Sequence, residues 1–147
     1  MRWLGLVALT SAAFGLRLAR LWTEHPLGTD GYYYVVQATD LATRGQLHVP
    51  DASWVLRFLA LPHLLGLPPI DGLAGAAALL AALVVPAAYA LGATRSPAHA
   101  WGLAVLAAAS PTLTHLAADF PKNLGVMAPL VGLLAALTAA RQGARWA

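Results

Sequence analysis

The chain has 147 residues, of which 59% are hydrophobic and only 10% charged, with a mean hydropathy of +0.66, no cysteine and a formal net charge of +3. A soluble core of this size cannot hide so much apolar surface, whereas a bilayer accepts it once the backbone closes on itself as helices, so the composition points to an all-α membrane protein. It excludes a disulfide framework and a thiolate site, and charge spread without a dense Lys/Arg run argues against nucleic-acid binding.

Residues 3–22 form the first predicted span, twenty residues being enough to cross about 30 Å of hydrocarbon. Trp3 and Trp22 sit at its ends as interfacial anchors, and Arg17 and Arg20 lie where long side chains can snorkel to the interface. A cleaved signal peptide competes, with Arg2 and Ser11-Ala12-Ala13 as its loose signature, but the apolar run continues past that cleavage point. Residues 23–70 are the one long connection and hold most of the polar residues. Within it, Thr29 or Asp30 can cap an interfacial helix over 31–44, with Asp40 and Arg44 paired four apart and Gly45 as its stop. Asp51 or Ser53 can cap a second over 53–65, which Pro62 must kink or end. Both are too short to span and are expected in the interface plane.

A second span is predicted over 72–91, interrupted by Pro86, and a third over 98–116, its last turns disturbed by Ser110-Pro111. The segment HLAADFPKN leads to a fourth over 124–140. Gly5, Gly15, Gly75, Gly102, Gly125 and Gly132 are read as letting helices approach closely. Arg2, Arg95, Arg141 and Arg145 fall on one side, and Arg17, Arg20, Arg44, Arg57 and Lys122 on the other. The short-loop charges favour a cytoplasmic N-terminus in a multi-pass protein of a prokaryotic plasma membrane. Whatever the orientation, the loops after the first and third spans share a side, so Asp30 and Asp119 face one compartment.

A carboxylate at a membrane surface is costly unless it caps, pairs, or acts as a base or ligand. Asp30 reads as an N-cap, as a general base, or as a ligand for a divalent cation, and a cap position orients a carboxylate for either chemical role. On a helix from Gly31, Tyr33, Tyr34 and Gln37 fall on the turn next to Asp30 as an aromatic wall with hydroxyls, or the tyrosines, Tyr32 included, form an ordinary interfacial belt. Asp119 reads as a turn or cap residue before Pro121, or as a second acid facing Asp30. Lys122 and Arg57 are snorkelling cations or phosphate holders. His25, His48, His63 and His115 have no metal-ligand spacing, and Glu24 has a weak claim as an extra acid. No GxSxG, HExxH, Walker-type loop or GxGxxG is present.

A first span ending in Arg-Leu, then Asp30-Gly31-Tyr32-Tyr33-Tyr34, the run Ala38, Leu41, Ala42, Gly45, and later Ser-Pro before Asp119-Phe-Pro-Lys122-Asn resembles the N-terminal part of GT-C class polytopic glycosyltransferases. That class includes oligosaccharyltransferase catalytic subunits, protein O-mannosyltransferases and lipid A aminoarabinose transferases. The resemblance implies transfer, on the extracytoplasmic face, of a sugar from an isoprenoid-phosphate-linked donor. Asp30 is then the catalytic acid, Asp119 the second-loop acid, and Mg or Mn a candidate ion between them. Tyr32, Tyr33, Tyr34, Arg57 and Lys122 become candidate substrate contacts. Members of the class are longer, so the expected partners are membrane lipid, the lipid-linked donor and a C-terminal part of the same enzyme. The competing readings are a small non-catalytic membrane protein that binds lipid or a partner protein, and a transporter fragment with broken helices at Pro86 and Pro129.

Overall fold

A computed structural model describes residues 2–24, 28 and 30–144, the side chain of Ala144 apart. His25, Thr29 and Arg145 lie outside the described residues. Of the described residues 83% are helical and none is in a strand. The elements are α1 (Arg2–Leu21), α2 (Gly31–Arg44), α3 (Trp54–Leu64), α4 (Pro69–Ala82), α5 (Val84–Ala93), α6 (Pro97–Ala109), α7 (Pro111–Asp119) and α8 (Pro121–Ala144). Three stretches are long and apolar enough to cross a membrane, Arg2–Leu21, Pro69–Ala93 and Pro121–Gly143, and α6 with α7 makes a fourth if the bent pair is one span. Three to four helices are thus long and apolar enough to span, with two short helices in the connection after the first.

Proline sets most of the boundaries. Pro69, Pro97, Pro111 and Pro121 each open a helix, where the missing N–H costs nothing. The residues before them cannot stay helical, and Pro68, Ser96, Ser110 and Phe120 are all extended or irregular. The sequence reading starts the later spans one to three residues late because it takes these prolines as breaks rather than first turns. At Ser110-Pro111, where a disturbance of the third span is expected, the chain bends by 49° between α6 and α7. Pro111 cannot bond the carbonyl four residues back, that of Ala107, which accepts from the Ser110 N–H at 3.3 Å and from Arg17 Nη2 at 2.8 Å. Arg17 Nη1 bonds the Ala13 carbonyl at 3.0 Å, and the side chain is wholly enclosed. The expected snorkelling therefore fails for Arg17, while Arg20 is exposed.

The α4–α5 span is central, packed by α1, α2, α3, α7 and α8 against α4 and by α1, α6 and α8 against α5. The core has two parts. The larger gathers Leu21, Tyr34, Leu56, Leu73, Leu113 and Leu124. The smaller gathers Leu6, Ala13, Val85, Ala104 and Ala108, with Tyr89 and Trp101 edge to face beside it. Of the glycines expected at helix contacts, Gly5 lies against Trp101 and Gly125 against Val55, whereas Gly15, Gly75, Gly102 and Gly132 touch nothing across a groove. Gly92 makes the closest backbone approach, a Cβ there standing 2.5 Å from the His99 carbonyl. Leu4, Val7, Val126, Leu130 and Leu137 leave apolar faces of α1 and α8 exposed, consistent with a membrane protein.

Candidate functional site

The site is built outward from α2. Asp30 occupies its N-cap, yet no side-chain cap hydrogen bond forms, so the cap reading holds for the position and not for the carboxylate. At the other end Gly45, with φ 71°, donates its N–H to the Leu41 carbonyl and stops the helix as expected. Arg44 pairs with Asp40 at 3.6 Å, and His48 Nδ1 reaches the same carboxylate at 2.9 Å. One helical face carries Gly31, Tyr34, Gln37 and Ala38 into the core. Tyr33 is partly exposed and meets the Tyr34 ring edge-on at 5.3 Å, and Tyr32 is largely exposed.

Gln37 fixes the loop that follows. Its Nε2 donates to the Tyr33 hydroxyl at 2.9 Å and to the Val49 carbonyl at 3.0 Å, and its Oε1 accepts from the Val49 N–H at 3.1 Å. This two-way clamp, made by a side chain with no exposed surface, draws residues 49–51 onto α2. Asp51 then meets the first turn of α8: its Oδ2 accepts from Lys122 Nζ at 2.5 Å, and its Oδ1 from the Ser53 N–H at 2.7 Å. The Lys122 ammonium first, and the Ser53 amide next, hold the Asp51 carboxyl below its usual range, with the Tyr33 hydroxyl adding a smaller contribution. Asp51 thus turns the loop into α3 and pairs with Lys122. Ser53 occupies the α3 cap without a side-chain hydrogen bond.

Tyr34 is the buried hydroxyl of the group. Burial, then the charge of Asp30, then Tyr33, push its phenol up to about 12, against the Lys122 backbone N–H, which works the other way. It is therefore a neutral donor at ordinary pH.

Asp119 closes α7 rather than capping α8, and it is buried. His115 Nδ1, one turn back, lies 2.8 Å from its Oδ2. The loop after α1 comes down on this carboxylate at Gly28, whose φ is +85°. A Cβ at Gly28 would collide with Asp119 Oδ1 and stand 2.7 Å from the Ala118 carbonyl. Asp30 lies two residues beyond that contact. Lys122, read from sequence as a snorkelling cation or phosphate holder, pairs with Asp51. Arg57 is exposed on α3 and borders a hollow of about 400 Å³ shared with Asp51, Gly45 and Pro50.

Three participants escaped the sequence reading of the site: Asp51, His115 and Arg17. Only Asp51 had a signal, its place two residues before a cap. Among the described residues no three His, Asp or Glu side chains gather as metal ligands, since His115 engages Asp119 and Lys122 engages Asp51. Comparison with family models, with curated proteins and with solved structures finds no match.

Proposed function

We propose that this chain is the N-terminal module of a membrane glycosyltransferase of the GT-C kind, taking sugar from an isoprenoid-phosphate-linked donor. The observation that supports the reading is the meeting at one end of the bundle of groups far apart in sequence: Gly28 on Asp119, Asp51 on Lys122, and the Tyr34 hydroxyl on the Lys122 backbone N–H. Transfer needs a base at the depth of the lipid headgroup, and Asp30, whose carboxylate is not used by the cap, is available for it. Its carboxylate takes the proton of the acceptor hydroxyl as that oxygen bonds to the anomeric carbon. The bond from that carbon to the phosphate oxygen breaks, and its electron pair leaves with the isoprenoid phosphate. Tyr34 as a neutral donor and Arg57 as an exposed cation are suited to receive the departing charge.

His115 holds Asp119 in place, and Asp119 in turn seats the loop that carries Asp30, which makes Asp119 a positioning residue in this reading. Cells carrying Asp30→Asn at the gene's own locus test it. Transfer to acceptor is expected to fall by roughly 10²- to 10⁴-fold, as for loss of a general base, with protein abundance and membrane insertion unchanged. Transfer at the wild-type rate in those cells removes the catalytic assignment and leaves the lipid- or partner-binding reading.

A further inference from the structure

Two arginines of α1 lie outside the chemistry above, and one of them, Arg20, lines a cavity. About 520 Å³ opens between the last turn of α1 and the α6–α7 elbow, bordered by Arg20, Ser110, Thr114 and His115 and by the apolar Leu16 and Ala109. It combines an arginine, a histidine and two hydroxyls, as does the hollow lined by Arg95, His99, Thr94 and Thr138. What sets it apart is a buried cation one turn back along α1. Arg17 is one turn from Arg20, has no exposed surface, and bonds the carbonyl of Ala107, next to the cavity-lining Ala108 and Ala109. Arg17 makes no ion pair among the described residues, and its Nε–H is buried without an acceptor. A guanidinium taken from water without an anion is destabilised, and an anion in the neighbouring cavity supplies the missing counter-charge. The carboxylate nearest the cavity, that of Asp119, is already engaged by His115 Nδ1, which leaves Nε2 as the other ring nitrogen to serve an anion.

We propose that this cavity binds the phosphate of a membrane-lipid headgroup, with Arg20 as the principal cation, Thr114 and Ser110 as hydroxyl donors, and Leu16 and Ala109 against the first carbons of the chains. Arginine suits phosphate because its fork offers paired donors, and α1 ends within a turn of Arg20, at the depth where headgroups lie. The site requires the membrane reading and is independent of the transferase chemistry, so binding and transfer can fail separately.

Purified protein in a neutral detergent, titrated with dioctanoyl phosphatidic acid, farnesyl phosphate and inorganic phosphate, tests it. At least one of the two lipids is expected to bind well below the concentration needed for inorganic phosphate. Preference for phosphatidic acid assigns the site to bilayer phospholipid, and preference for farnesyl phosphate to an isoprenoid carrier. Arg20→Gln is expected to weaken the preferred lipid roughly tenfold or more, the scale of one charge-assisted contact. Thr114→Val should weaken it less, and Arg95→Gln, on the α5–α6 turn, should leave it unchanged. Equal binding by wild type and Arg20→Gln, equal loss in Arg95→Gln, or inorganic phosphate binding as tightly as either lipid overturns the proposal.

Discussion

The two ends of the bundle are built on different terms. Where α5 and α6 meet, contact is backbone on backbone: Gly92 lies against His99 and Ala100, small residues fill the core, and a long-range polar tie is Gln142 Nε2 to the Thr94 carbonyl at 2.9 Å. Where α2 and α3 fold over α4 and α8, contact is side chain to side chain, through Gln37, Asp51, Lys122, His115 and Asp119. One end closes on a glycine whose position leaves no room for a Cβ. The other is a set of polar commitments between segments as much as 71 residues apart, in a chain with few polar groups to spend. That contrast locates the candidate chemistry more firmly than any short motif.

Variants can break the contrast at either end. Gly92→Ala should have the largest effect, about 2–3 kcal/mol of destabilisation, because the new methyl meets backbone that cannot retreat. Unfolding in detergent should show it, while a short bismaleimide still bridges cysteines placed at 51 and 122. Gly28→Ala should cost about 1–2 kcal/mol from its left-handed backbone alone, and should speed hydrogen exchange in the loop that meets Asp119. Gln37→Leu removes both bonds to Val49 and should cost about 1 kcal/mol, with the Val49 amide losing its protection.

The smallest effect sharpens the comparison through pH. The Asp51 carboxyl is depressed in the folded chain, so its contribution is present above the unfolded value and is lost as pH falls through the folded one. The Tm difference between wild type and Asp51→Asn should therefore be full at neutral pH and shrink below the usual carboxylate range. A difference that grows with acid contradicts the pairing.

Much of the scaffold was legible because local rules dictate it. Gly45 marks the end of α2, and the apolar runs place the spans to within three residues. The misplacements share one cause: a proline signals both the end of one helix and the first turn of the next, and only packing decides which. At the elbow Arg17 donates to the carbonyl that Pro111 cannot bond, a contact across 90 residues. Asp30 and the tyrosines stood out as a cluster along the chain. Asp51 did not, since nothing local says that a loop carboxylate will meet a lysine of α8, and Gln37 has the look of a surface residue until the loop closes over it. Arg17 resembled a snorkelling residue for the same reason: burial is a property of neighbours.

The central claim is that the first loop and the α7–α8 junction share one side of the membrane. The chain has no cysteine of its own, so single cysteines can be placed at Tyr32, Phe120 and Arg95, all exposed, and labelled in intact cells with an impermeant maleimide. Labelling at 32 and 120 together, with 95 reached only after the membrane is opened, or the reverse pattern, is the result expected. Labelling of 32 and 120 from opposite faces contradicts it.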